Sequence, residues 1–440
     1  MNSAENKSSS IFLWIPFIWY SISITRPITI WMDPFLGIPS NIDPTEGSPL
    51  ERIVWTILIV AGLLILMKKR IQWSQVIRNN KWIFSLLLYT MISILWSNFQ
   101  GVALKRWIKT FGSIVMALIV LTEPRPVQAI STLLRRAFLL HIPLDIIVIK
   151  YFRHIGVGYS KKGLEMWTGL TTHKNTLGEV CMISGLYFTW DIFNKLGKSR
   201  VIIDLFYLAM IMFLMNGPGY SSSTTAMVVL FIGLLIFFSF RLAPKEEILL
   251  NRFIFTGGIS LLFLLITMQI GITAFTGNRT LTTVSLEIAG RDSTFTGRTD
   301  LWGDVLLDAS KHPLKGVGYG SYWIDNLANN LWDKYDWRPN QGHNGYVDVY
   351  VELGMIGLFL LGGLLISTFH KIKKMIIDDF EFGHFFMALF VMIVIHNITE
   401  SSFLRGDHHL WFFFLLISLT IPSSSLGRDS VTATRREYND

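Results

Sequence analysis

The sequence predicts an all-α polytopic membrane protein with about twelve transmembrane helices and one large external loop. Three observations predict it. Hydrophobic residues fill 51% of the 440 positions and charged residues only 16%, against roughly 25% in soluble proteins. Apolar runs approaching the roughly 20 residues that cross a bilayer recur along nearly the whole chain. Lys and Arg collect in alternate connections, as membrane topology imposes. The mean hydropathy of +0.44 agrees, and the single cysteine, Cys181, excludes a disulfide framework or a Cys-based zinc site.

In chain order the candidate spans are 11–31, 50–67, 82–98, 103–121, 132–151, 175–193, 201–216, 222–241, 252–274, 346–368, 384–399 and 408–421. The first run is long and aromatic, and no small-residue cleavage site follows it, so it reads as a retained span rather than a signal peptide. Residues 1–10 read as a disordered tail, 11–421 as one transmembrane domain with external loop 275–345, and 422–440 as a cytoplasmic tail.

Orientation follows from the basic connections. Lys68-Lys69-Arg70, Arg125, Lys195 to Arg200, Arg241 to Arg252, Lys371 to Lys374 and the tail arginines fall on one side, which is therefore cytoplasmic. Much of the net charge of +8, which in a soluble chain would point to nucleic acid, is thus a product of topology, and no nucleic-acid partner is expected. The rest is on the other side. Segment 152–174 carries Arg153, Lys161, Lys162, His173 and Lys174; segment 275–345 carries Arg279, Arg291, Arg298, Lys311, Lys315, Lys334 and Arg338. Lys105, Arg106 and Lys109 open the span at 103, with 105 and 109 on one helix face. Any one of these suits snorkelling to lipid head groups. Together, on the side where topology does not ask for them, they indicate an anionic ligand.

The external loop is too long for a structureless connection. Leu301, Trp302, Val305 and Leu306 fit an amphipathic helix that Lys311-His312-Pro313 ends. Gly316-Val317-Gly318-Tyr319-Gly320 lacks the strand and helix of a nucleotide site, and reads as a tight turn folding the loop back on the membrane. His343, at the start of the tenth span, has two readings: a residue capping the helix, or a general base suited to neutral pH.

Gly297-Arg298 with Trp302, Pro313 with Gly316-Val317-Gly318, and His343-Asn344 followed after nine residues by Gly354-Met355-Ile356-Gly357 resemble the O-antigen ligase/polymerase superfamily. Gly169-Leu170-Thr171-Thr172-His173-Lys174-Asn175 is similar to the exopolysaccharide-polymerase (ExoQ-like) branch. The resemblance implies a GT-C-like glycosyltransferase of the bacterial inner membrane, its active site facing the periplasm or exterior. Such enzymes move a glycan from undecaprenyl diphosphate to a hydroxyl of a saccharide or lipid-linked glycan acceptor, without a cofactor or metal. It assigns deprotonation of that hydroxyl to His343 and the diphosphate to Arg298, with Lys174 and Arg291 completing a cationic clamp. These residue types suit the chemistry: the departing diphosphate is already ionised, so fixed positive charge and a base suffice.

One departure stands out. Where many relatives carry a Ser-Arg or Ser-Lys pair at the external end of the eighth span, this chain reads Tyr220-Ser221-Ser222-Ser223-Thr224-Thr225. The second diphosphate contact is therefore expected from Lys174 or from the Lys105/Lys109 face. The acidic pairs Glu246-Glu247 and Asp378-Asp379 lie in predicted cytoplasmic connections and read as solvated. His396 and Glu400 near the outer end of the eleventh span, and intramembrane Asp145, Glu179 and Asp191, are weaker candidates. His408-His409 reads as interfacial, and no metal site is expected. Polymerisation and ligation share donor and base, with the His173-Lys174-Asn175 segment leaning towards polymerisation. The alternative class, a polysaccharide-precursor transporter or flippase, predicts paired interrupted helices in two repeated halves. The sequence has no such symmetry.

Overall fold

The computed structural model describes residues 10–36, 48–160, 163–194, 198–217, 223–242, 293–324, 331–335 and 338–421. After a 3-10 turn come helices α1 (Trp14–Ile24), α2 (Ile28–Leu36), α3 (Pro49–Lys68), α4 (Trp73–Asn79), α5 (Lys81–Ser93), α6 (Gln100–Leu121) and α7 (Pro126–Tyr151). A single turn, α8 (Arg153–Gly156), leads into strands β1 (Val157–Tyr159) and β2 (Glu165–Trp167). The remaining elements are α9 (Lys174–Asn194), α10 (Lys198–Met215), α11 (Thr224–Leu242), α12 (Ser293–Ala309), α13 (Gly345–Asp378), α14 (Phe380–His396) and α15 (His409–Ser418). Every expected span contains a helix except 252–274, which lies outside the described residues.

Among the described residues, Pro49–Lys68, Thr224–Leu242 and Gly345–Asp378 are long and apolar enough to cross a membrane. Helix α3 shows why its residues do this. Ser48 caps it, its hydroxyl accepting from the Glu51 amide, and Pro49 occupies the first turn, where no amide partner is needed. Ile53, Ile57, Val60, Leu64 and Met67 stay exposed along one face, while Gly62 lets α3 approach Val115 and Met116 of α6 closely. A helix apolar on both its packed and its outward face is what a lipid surround permits. The protein is a helical, multi-pass membrane protein.

Four expectations are adjusted by the structure. The run 11–31 is two helices, because Pro27 has no amide to donate and disfavours helical geometry just before it. Arg26 in the break uses its guanidinium on the Ile155 and Thr171 carbonyls at 2.5 and 3.1 Å. Segment 152–174 holds a short antiparallel hairpin, pairing Val157 with Trp167. The tenth span continues to Asp378, so Lys371, Lys373 and Lys374 belong to its last turns rather than to a loop. Lys371 donates to the Asn80 side chain and the Ser418 carbonyl at 2.7 and 2.6 Å. The tails 1–9 and 422–440 and the pair Glu246-Glu247 lie outside the described residues, whereas Asp379 caps α14 by accepting from the Phe382 amide.

The fourth adjustment positions the site. Helix α13 is kinked at Gly354 (φ 65°, ψ −163°). The glycine-rich turn docks there and supplies what the broken helix lacks. Val317 and Gly318 amides donate to the Val351 and Glu352 carbonyls at 3.1 and 2.9 Å, and Met355 and Ile356 amides donate to the Pro313 and Leu314 carbonyls. A kink in an apolar setting needs such substitutes for its lost bonds. The turn thus folds back on the bundle, as its glycines predicted, and its amides are committed within the protein: those of Gly316, Val317 and Gly318 to carbonyls, those of Tyr319 and Gly320 to the Ser93 hydroxyl and the Glu352 carboxylate.

Candidate active site

His343 precedes α13, whose first turn is capped by the Asn344 side chain accepting from the Tyr346 and Val347 amides at 3.0 and 3.2 Å. His343 itself adopts φ 47°, a conformation that costs a non-glycine residue about 1 kcal/mol or more. Its neighbours hold it there. The Gly342 amide donates to Asp348 at 2.9 Å, Trp302 of α12 donates to the Gly342 carbonyl at 2.6 Å, and the Asn344 amide donates to the Ser401 hydroxyl at 3.0 Å. Asp348 also accepts from Trp323 and Arg405, both at 3.0 Å.

Opposite lies the loop between α14 and α15. Asn397 organises it, its side-chain Oδ1 accepting from the Ser402 and Phe403 amides. That fold delivers Glu400 to the centre. One carboxylate oxygen is 2.7 Å from His343 Nδ1; the other accepts from Asn175 at 2.7 Å and lies 3.1 Å from Arg298 Nη2. Arg298 Nη1 donates to the Thr399 carbonyl at 2.5 Å. Helix α12 carries Arg298 there by burying Leu301, Val305 and Leu306, as the periodicity predicted.

The segment ending in Lys174 arrives from the other side. Gly169 and Leu170 are anchored on Asp145, which accepts from the Leu170 amide at 2.8 Å, and Arg26 holds the Thr171 carbonyl. His173 therefore lies among charges. Burial lowers its pKa most, and Lys174, His343 and Arg298 lower it further against the opposing Glu400. Lys174 also lines a small crevice with Gly178, Met215 and Ser223. Ser223 is the one serine of the cation-less hydroxyl run within the described residues, so Lys174 faces the position that a Ser-cation pair would occupy.

The structure thus gathers His343 and Arg298 around Glu400, with Lys174 close enough to Arg298 and His173 to feel their charge. Other basic residues have different company. Lys109 pairs with Asp407 at 3.1 Å and lies over the Trp55 ring, and Lys105 is exposed on α6. Arg153 pairs with Glu165, Lys311 with Asp308 and Lys334 with Asp304. Part of the outer-side positive charge is therefore neutralised by carboxylates, Asp308 three residues from its partner and Glu165 and Asp304 brought to theirs by the fold. Arg291 lies outside the described residues. Two residues carry more of this arrangement than sequence reasoning gave them. Glu400 was visible only as a helical neighbour of His396, and Asp348 as a residue inside an apolar run.

Glu400 is opposed by two effects. Burial pushes its carboxyl up, but the His343 hydrogen bond and the charges of His343 and Arg298 outweigh burial and hold it down at about 2. A depressed carboxyl stabilises the fold above its unfolded value, and that stability is lost as pH falls from about 4.5 towards about 2. The contribution is on the order of 3 kcal/mol at neutral pH. Thermal unfolding of the detergent-solubilised protein should therefore shift steeply downward between about pH 5 and pH 3, as linkage requires. Glu400→Gln should flatten that slope; equal slopes for the two proteins would refute the assignment.

Comparisons with known proteins agree with the resemblance read from the motifs. The family model described as O-antigen ligase matches residues 207–362, a stretch that contains Arg298 and His343. The chain is thus similar to the O-antigen ligase/ExoQ-like family, the resemblance its motifs carry. It is 29% identical over 359 residues to the exopolysaccharide production protein ExoQ of Rhizobium meliloti (strain 1021), covering 78% of this chain and 77% of that protein. Lys174 and Glu400 fall outside the matched family region.

Proposed function

We propose that the protein is a glycosyltransferase of the bacterial inner membrane, moving a glycan from undecaprenyl diphosphate to the hydroxyl of a saccharide or lipid-linked acceptor. It acts as an exopolysaccharide polymerase or an O-antigen ligase, with twelve spans and the His343 end of the bundle towards the periplasm or exterior. The observation that carries this reading is the Glu400–His343 contact beside Arg298. A carboxylate on Nδ1 stabilises the tautomer in which Nδ1 holds the proton and Nε2 is the basic nitrogen. Nε2 then takes the acceptor's proton as its oxygen attacks the anomeric carbon, while the lipid diphosphate leaves on the opposite face. The anomeric centre is inverted.

Charge counting favours the diphosphate. Arg298 and Lys174 bring two positive charges against one negative charge on Glu400, and protonation of His343 during attack adds a third. The guanidinium has five N–H donors, so phosphate oxygens can join the Thr399 and Glu400 contacts. The chemical step needs no metal, since the leaving group is stable as released. Lys174 is the first choice for the second cation, with Arg291 and Lys105 behind it; Lys109 would have to leave Asp407.

Reconstituted protein given a lipid-diphosphate-linked glycan and no added divalent cation should transfer it. Failure to release lipid diphosphate from that donor would sink the reading. Lengthened lipid-linked chains would identify polymerisation, and glycan on a different acceptor would identify ligation. Within the same assay Lys174→Met should raise the donor KM about tenfold, one lost charge-assisted contact, and Lys105→Met by less. The reverse order would move the clamp to the α6 face.

A further inference from the structure

A second cluster lies beneath the Glu400 loop, outside the transfer chemistry. Glu179 on the second turn of α9 is buried with His396, the last residue of α14, and His409, the first of α15. His408 stands beside them. His409 Nε2 and His408 Nε2 lie 3.3 and 3.5 Å from one oxygen of Glu179, and His396 Nε2 lies 3.6 Å from the other. Among the described residues, Glu179 Oε2, His409 Nε2 and His396 Nδ1 are buried without a hydrogen-bond partner. Three imidazoles therefore surround a buried carboxylate, and its Oε2 accepts a hydrogen bond from none of them.

We infer that Glu179, His408 and His409 bind a zinc ion, with His396, 3.6 Å from the other Glu179 oxygen, at the edge of the site. The donor atoms lie within 4.8 Å of one another. A tetrahedral zinc with bonds of about 2.0–2.1 Å separates its ligand atoms by about 3.3 Å along each edge, whereas octahedral bonds of that length give about 2.9 Å. The observed 3.3 and 3.5 Å separations fit the former. Imidazole and carboxylate donors suit zinc, and the ion supplies the positive charge a buried carboxylate requires. Binding at Nε2 places a proton on Nδ1, so His408 gives up the 3.3 Å contact in which its Nδ1 accepts from the Leu410 amide.

The ion would staple α9 to the starts and ends of the helices flanking the Glu400 loop, since the Glu400 amide donates to the His396 carbonyl at 2.9 Å. Its role is structural, and it takes no part in transfer.

The test uses full-length protein purified without a histidine tag. Wild type should carry about one zinc per chain by elemental analysis, as a closed protein site does, and Glu179→Gln and His409→Ala should lose most of it. After chelation, added zinc should raise the Tm of wild type and magnesium should not. Cobalt put in zinc's place should show the intense visible absorption of a four-coordinate ion. The wild-type measurements decide the matter even if a variant fails to fold. Chelated wild type that takes up no zinc, or folded variants that keep wild-type zinc, would overturn the site. Neither readout depends on glycan transfer, so loss of the enzymatic reading would leave this one standing.

Discussion

Alanine at position 343 should reduce transfer from a lipid-diphosphate-linked glycan on the order of 10²–10⁴-fold, the contribution of a positioned general base. The fall should appear in kcat, with the donor KM little changed, if Arg298 and Lys174 hold the diphosphate as proposed. The side chain reaches solvent at 18% exposure, so water can enter the space it leaves, and Glu400 keeps Arg298 and Asn175 as partners. The variant should therefore fold, which thermal unfolding checks. Turnover within a few-fold of wild type would remove His343 as the base. Glu400→Gln sharpens the test: a neutral amide accepts from Nδ1–H but stabilises the developing imidazolium far less. It should also lower kcat and shift the acidic limb of its pH profile, whereas a purely structural Glu400 would leave that limb in place.

Gly354→Ala should have the largest effect on stability. At φ 65° and ψ −163° the backbone lies in a region open essentially to glycine, costing another residue about 1–3 kcal/mol. A Cβ there would also stand 2.3 Å from the Leu314 carbonyl. That carbonyl accepts from the Ile356 amide across the kink, so relief of the clash breaks the bond that repairs the helix. We expect a loss of at least about 3 kcal/mol, read as a lowered Tm, together with loss of transfer as the loop behind His343 lifts. Gly101 is the control. It lies in α6, and a methyl group added there would meet nothing within 4 Å, so Gly101→Ala should change stability by less than about 0.5 kcal/mol. A tolerated Gly354→Ala would mean that the kink is not fixed by this packing.

The glycines of 316–320 were legible as a turn because their spacing lacks the context of a phosphate loop. That the turn repairs a break at Gly354 was not legible, since residues 317 and 351, and 318 and 352, are brought together only by the fold. Helix α12 was legible because Leu301, Val305 and Leu306 recur at helical spacing, and spacing along one element is written in the chain. The break at Pro27 was available from proline geometry, yet the apolar run around it overrode that signal.

Pairing across elements accounts for the rest. The basic residues of 152–174 and 275–345 read as unmatched by a cluster of acids, but Glu165 and Asp304 meet Arg153 and Lys334 from 12 and 30 residues away, and only the Asp308–Lys311 pair, three residues apart, is local. Glu179 and His408-His409 are more than two hundred residues apart, which no local spacing rule connects.

Sequence by itself determined the lipid environment, the helical class, and His343 and Arg298 as the residues of interest. Each depends on composition, on period along one helix, or on a local motif. Tertiary structure alone decided which charges are spent on one another and which gather around Glu400. Electrostatic energy depends on distance through space, and in a bundle of helices that distance is set by packing rather than by chain position.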